Sequence, residues 1–258
     1  MKTEVSIQVF PEEPISPRVD IDILAFSPHP DDAEIGCGGV LLKSNALGLR
    51  TAIIDVTEGE ASTGGDPETR RVESAEAARL LNLTVRENLR LPDGGVEDTF
   101  ENTKLFASVI CKWKPRIILA PYYDLPLGRG LGHRDHVKTG ILASHAFNYS
   151  HLRKLMEPLG YEPHQAAAIF YYFLPYRITP TFIVDVTDYY ESWISAILAH
   201  KSQFGDPERH AGIREFFESM ARHWGRFIRA KYAQAFYAVA PLKVDSLLDL
   251  VKTVNPKI

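Results

Sequence analysis

The sequence predicts a three-layer α/β fold with a mostly parallel sheet and a smaller C-terminal β/α portion. Three observations carry this reading. Short apolar runs at 21–26, 51–56 and 116–120 have the length and composition of buried strands. Segments with helical spacing or helix-capping residues follow each run, near 39–47, 66–81 and 133–148. Polar loops rich in Asp, Glu, His and Gly join strand to helix, which is the rim where open α/β sheets place their chemistry.

At 258 residues, 45% of them hydrophobic and 24% charged, the chain suits one globular domain. Residues 1–18 are proline-rich and read as an extended arm, and 19–258 as a single domain. A net charge of −4 argues against a general binder of nucleic acid or anionic membranes. Only two cysteines, Cys37 and Cys111, give no disulfide framework and suit a reducing compartment. No apolar run approaches the roughly 18 residues of a membrane span. Glu4, Glu12 and Glu13 stand where a signal peptide would be basic and then apolar, so the expected location is cytoplasmic.

The first apolar run leads into Ser27-Pro-His-Pro-Asp-Asp-Ala-Glu-Ile-Gly-Cys-Gly-Gly39. Adjacent carboxylates repel and resist burial unless a cation or hydrogen bonds offset them, so a metal ion is the economical explanation. His29 and Asp32, three apart around a tight turn, can point at one ion while Asp31 points elsewhere. A catalytic zinc site normally needs three protein ligands and an open position. The third must come from far along the chain, and His133-Arg-Asp-His136, after the run at 116–120, is the obvious supplier. The competing readings are a helix-capping loop and a dinucleotide loop; the latter fails because Leu41 stands where G-x-G-x-x-G needs its last glycine.

Beyond the second strand, 57–65 is a polar glycine-containing loop on the same rim. Asp66-Pro67 opens a helix, an N-cap acid before proline at the first helical position. Arg70 and Glu73 lie in its first turns, where they either face the rim or form a solvated i,i+3 pair. The segment 99–113 reads as a helix closed by Lys114-Pro115. The loop 121–132 holds Gly128, Gly130 and Gly132 and suggests a mobile lip. His133, Asp135 and His136 open the next helix. Runs at 169–174 and 181–186 read as two strands, expected to pair antiparallel because only a short turn joins them. Amphipathic helices are expected over 189–204 and 213–232, then an apolar tail that could meet another subunit. The histidines at 145, 151, 164, 200, 210 and 223 default to structural or exposed positions, with some question over His200.

The His-Pro-Asp-Asp-Ala-Glu-Ile-Gly-Cys-Gly-Gly stretch, with the later Gly-His-Arg-Asp-His, resembles the zinc-dependent de-N-acetylases of the LmbE and PIG-L superfamily. Thr57-Glu-Gly-Glu60, Glu68-Thr-Arg-Arg-Val-Glu73, Arg86-Glu-Asn-Leu89 and Leu91-Pro-Asp-Gly94 extend the resemblance. With His200-Lys-Ser-Gln-Phe204 and Lys231-Tyr-Ala-Gln-Ala-Phe236, it is similar to the bacillithiol-biosynthesis deacetylases in particular. The resemblance covers about 20–250 and implies a Rossmann-like, LmbE-like domain. It implies zinc on His29, Asp32 and His136, with Fe2+ or Co2+ able to use the same ligands. Asp31 is then the base that takes a proton from water. His133 is the acid for the leaving amine, Asp135 holds it, and Tyr172 (or its neighbour Tyr171) helps the oxyanion. Arg70 and Arg153 are the substrate-side arginines.

The implied reaction is hydrolysis of an N-acetylglucosamine conjugate, most of all N-acetylglucosaminyl-malate, to acetate and a free amino sugar. Two carboxylates on malate would give the arginines their purpose. Another N-acetylglucosamine conjugate or a chito-oligosaccharide is the alternative substrate. A non-catalytic metal or sugar binder is the alternative class, disfavoured because it would not need Asp31. Relatives are commonly hexamers or trimers of dimers, so a homo-oligomer is expected.

Overall fold

The computed structural model describes residues 20–124, 132–205 and 210–246. The expected arm over 1–18, Gly128 and Gly130 of the expected lip, and the end of the apolar tail lie outside the described residues. In chain order the elements are β1 (Ile23–Ser27), α1 (Asp32–Ala46), β2 (Thr51–Asp55), α2 (Pro67–Leu80), β3 (Val85–Asn88), α3 (Phe100–Trp113), β4 (Ile117–Pro121) and α4 (Arg134–Tyr149). Then come α5 (Arg153–Met156), β5 (Ala168–Tyr172), β6 (Phe182–Asp185), α6 (Tyr190–Leu198), α7 (Lys201–Phe204), α8 (His210–Ile228) and β7 (Ala233–Phe236).

Five strands form a parallel sheet in the order β3-β2-β1-β4-β5. Side chains alternate across it. Leu24, Phe26, Ala52 and Ile54 join the core beneath α3 and α4, while Ile23, Ala25 and Ile53 join the core beneath α1 and α6. The strands are apolar on both sides because both faces are covered, as parallel sheets require. Strand order reverses between β1 and β4, so the crevice beyond their carboxyl ends is the ligand position of a doubly wound sheet. His29 follows β1 and His133 follows β4.

Local signals explain the helix starts. Asp66 accepts from the Thr69 N–H at 2.7 Å with Pro67 at the first position, as the sequence predicts. Thr99 caps α3 through the Asn102 N–H.

The expected antiparallel pairing of 169–174 with 181–186 is not what forms. β5 joins the main sheet parallel to β4, and β6 pairs antiparallel with β7 in a separate two-stranded sheet. The reason is burial on both faces of β5: Tyr171 reaches Ser144 of α4 on one side, and Tyr172 packs on Gly36 of α1 on the other. The single helix expected over 189–204 is broken at Ala199 and His200 into α6 and α7. Among the described residues no helix is long and apolar enough to cross a membrane.

Candidate metal centre and active site

The turn after β1 places three side chains with different surroundings. Asp31 adopts φ 134°, a backbone region that non-glycine residues rarely enter and that clusters at functional sites. Surrounding groups fix it there. The Thr57 hydroxyl donates to the Pro28 carbonyl at 3.0 Å, and Arg70 donates from Nη2 to the Pro30 carbonyl at 2.6 Å. The same Nη2 stands 3.6 Å from Asp31 Oδ2, and Arg70 is only 3% exposed. Arg70 therefore lies behind Asp31 with its guanidinium on the wall of the cavity, and the solvated pair with Glu73 does not form. Glu73 instead accepts from Ser202 of α7.

Asp32 turns the other way. Its Oδ2 lies 2.9 Å from His29 Nδ1 and 3.1 Å from His136 Nε2. Two ligands about 2.05 Å from a tetrahedral ion stand about 3.3 Å apart, so these separations are close to those around one ion. Two imidazole nitrogens and one carboxylate oxygen are also a donor set that zinc accepts. Burial alone would raise the Asp32 carboxyl, but His136 and His29 beside it hold it far below the usual carboxylate range. It is therefore ionised, as a ligand must be. For Asp31 the direction is opposite: burial and then the Asp32 charge push its carboxyl up, against His200, Arg70 and His29. Neighbouring carboxylates with divergent environments suit different tasks.

The other side of His29 is equally crowded. Its Nε2 lies 3.2 Å from Asp93 Oδ1 and 3.3 Å from Asp135 Oδ2. Asp135 also accepts from the Gly94 N–H at 2.7 Å and the Val96 N–H at 3.3 Å. Asp93 accepts from the Ala61 N–H at 2.9 Å. Among the described residues, the groupings of three whose ligand atoms all lie within 4.8 Å of one another are His29 with His133 and His136, and His29 with Asp93 and Asp135; Asp32 is in neither. One imidazole nitrogen faces Asp32 and the other faces this carboxylate pair, the usual partnership of a metal-ligating histidine with its supporting carboxylate.

Three expectations are corrected here. Asp135 does not hold His133 with its carboxylate, which is spent on His29 and the 94–96 backbone; His133 Nδ1 instead accepts from the Asp135 N–H at 3.3 Å, capping α4. Tyr172 is fully buried, its hydroxyl donating to the Phe26 carbonyl at 2.6 Å, so it cannot reach an oxyanion in the crevice. Tyr171 is no substitute, since its hydroxyl is 2.6 Å from Ser144 Oγ on the opposite face of the sheet. Arg153 begins α5, after the 16-residue α4 has run about 24 Å away from the rim at 1.5 Å per residue. It is 77% exposed and pairs with Glu157 at 3.3 Å.

A cavity of about 290 Å³ opens at this rim, lined by His29, Asp31, Arg70, Asp93, His133 and Gln203 among others. A wider depression of about 630 Å³ surrounds Arg153 and Tyr161 at the far end of the sheet, and among the described residues no histidine or cysteine lines it. Burial and the charge of His29 push His133 below its ordinary range. With Nδ1 engaged, its Nε2 is left for the cavity. Sequence reasoning assigned no role to Asp93 or Gln203. Asp93 could have been found as the acid of an Asp-Gly turn just beyond Arg86-Glu-Asn-Leu89; Gln203, a neutral side chain, carried no comparable signal.

The family model for PIG-L, GlcNAc-PI de-N-acetylase, matches residues 24–147. The chain is 30% identical to a diacetylchitobiose deacetylase of Thermococcus kodakarensis over 223 residues, 82% of this chain and 80% of that protein. Among solved structures, the conserved protein TT1542 from Thermus thermophilus superposes with a TM-score of 0.78 at 36% identity, covering 88% of this chain and 98% of the other. The N,N'-diacetylchitobiose deacetylase of Pyrococcus horikoshii, complexed with an inhibitor, gives 0.77 at 28% identity, covering 89% and 88%.

Proposed function

The chain belongs to the PIG-L family and is an N-deacetylase acting on N-acetylglucosamine-type substrates; from that premise we propose that it removes acetate from a small N-acetylglucosaminide of the chito-disaccharide kind, using one divalent ion, zinc first, held by His29, Asp32 and His136. The observation that carries this reading is Asp32 Oδ2 meeting a nitrogen of each histidine at 2.9 and 3.1 Å, with Asp31 turned away from them on the cavity wall. The Nδ1 side is preferred for the ion because Asp135 and Asp93 already accept backbone N–H groups and fit the role of carboxylates supporting His29 from Nε2. Such an ion would polarise the acetamide carbonyl and lower the pKa of a water towards about 7.

The chain's own residues do the rest. Asp31 accepts the proton of the attacking water, its position set by the strained turn and by Arg70. Asp31, protonated in that step, hands the proton on to the leaving amine, while His133, whose Nδ1 accepts the Asp135 N–H, stays a neutral donor in the cavity lining. Asp93 and Asp135 keep His29 in one orientation. The low accessibility of the Asp31–Arg70 contact strengthens the electrostatics that hold the base.

N-acetylglucosaminyl-malate is the second reading, favoured by Arg70 on the cavity wall. Against it, Arg70 donates to the Pro30 and Gly59 carbonyls and faces Asp31, while Arg153 stands at the far end of the sheet. The zinc-loaded protein is to be incubated with diacetylchitobiose, N-acetylglucosamine and N-acetylglucosaminyl-malate, and acetate measured. Release from the disaccharide above the malate conjugate is expected. Release from the malate conjugate alone would exchange the two readings, and release from none would overturn both.

A further inference from the structure

Part of the cavity wall is built by two segments far apart in sequence. Ser62 comes from the loop after β2, and Gln203 from α7. They are locked together. Gln203 Nε2 donates to the Gly64 carbonyl at 2.5 Å and to Ser202 Oγ at 3.0 Å, and Ser62 Oγ donates to Gln203 Oε1 at 3.2 Å. The Gly64 N–H donates back to Ser62 Oγ at 3.2 Å. Gly64 has no room for a side chain, since a Cβ would lie 2.4 Å from the Ser202 carbonyl oxygen. Beneath them Glu73, buried on α2, accepts from Ser202 N and Oγ at 2.8 and 2.7 Å. This wall is fixed before any ligand arrives.

Counting donors and acceptors shows what it offers. Both amide hydrogens of Gln203 and the one hydroxyl hydrogen of Ser62 are used within the wall. Oε1 of Gln203 and Oγ of Ser62 each keep one lone pair free of these bonds. In the same lining Asp31 and Asp93 are acceptors too. Such acceptors bind groups that donate, such as hydroxyls, and repel carboxylates or phosphates; Arg70, the cation in the same lining, is offset by the Pro30 and Gly59 carbonyls and by Asp31. At about 290 Å³ the space is at the small end of ligand pockets.

We infer that Gln203 and Ser62 form the hydroxyl-recognising wall of the site, reading one ring hydroxyl of a neutral sugar and disfavouring an anionic one. This rests on the deacetylase reading above and adds the groups that select the substrate. Gln203 is a specificity residue, so its removal should act on binding and leave the chemistry in place.

The test uses the metal-loaded full chain with methyl N-acetylglucosaminide and its 3-, 4- and 6-deoxy analogues, following acetate. For the wild type, one deoxy analogue should lose about 3–10-fold in kcat/KM, the worth of one neutral hydrogen bond. Gln203→Leu should raise KM for the parent sugar by a similar factor with kcat unchanged, and should no longer distinguish that analogue from the parent. Ser62→Ala, which leaves the Gln203–Gly64 link intact, should move the same way by less, and it carries the test if Gln203→Leu folds poorly. A variant that loses kcat, or loses equally on parent and all analogues, would overturn the inference while the deacetylase reading stands. No acetate from any sugar with wild-type protein would instead overturn the deacetylase reading and this inference with it.

Discussion

The opposite tasks proposed for two neighbouring aspartates rest on the different partners that their side chains meet. Asp32 is held by two histidines, and Asp31 by a strained backbone and one buried arginine. Asp31→Asn keeps the shape and removes the base. It should retain the metal while kcat falls by about 10²–10⁴-fold, the usual contribution of acid–base catalysis; loss of the metal with the activity would mean that Asp31 is a ligand. Tyr172 gives the complementary case. Its hydroxyl serves the Phe26 carbonyl inside the core, so Tyr172→Phe should leave kcat within about twofold. Its cost should be about 0.5–1.5 kcal/mol of unfolding free energy in urea, the net worth of a hydrogen bond. A large kcat loss at full stability would return Tyr172 to the active site.

Helix α1 is held to the sheet by contacts that a helix propensity scale would misjudge. Ala normally stabilises a helix interior by about 1 kcal/mol relative to Gly. At Gly36, however, a Cβ would lie 2.1 Å from Tyr172 Cδ2. Gly36→Ala should therefore destabilise, by about 1–3 kcal/mol for an overpacked core, and a rise in Tm would refute that packing. Strand β3 is tied to α1 and β2 by charge. Arg86 donates to both oxygens of Asp55 at 2.8 and 3.0 Å and also to Glu34, which His200 Nε2 meets at 2.9 Å. Asp55, Glu34 and His200 are buried, the Arg86 side chain is 8% exposed, and Arg86 holds the Glu34 carboxyl down to about 2 against the burial that would raise it. Arg86→Met leaves two buried carboxylates without their cation, and the expected loss is about 3–5 kcal/mol by denaturant titration. A loss under 1 kcal/mol would show that water already screens the cluster.

The molecule as a whole shows which parts of a sequence speak locally. The turn after β1 and the opening of α4 were legible as one rim because an apolar strand precedes each. β3 was not legible, since Arg86, Glu87 and Asn88 hide a strand in which Arg86 and Asn88 pair inside the fold and Glu87 pairs with Lys112 at the surface. The facing of Tyr171 and Tyr172 needed the partner of β5, and the sheet, not the short turn, chose it. Arg153 looked close because sequence distance ignores that α4 carries the chain to the other end of the sheet. Asp93 and Gln203 reach the crevice only through tertiary contacts, with His29 and with Gly64. In the proposed reading, what joins these parts into one function is a single ion between the ends of β1 and β4. The most direct measurement is metal content per chain after zinc loading and dialysis, for wild type and His136→Ala. One ion per chain in the wild type and little in the variant is the expected result, whereas full occupancy in folded His136→Ala would contradict the site on which the whole reading rests.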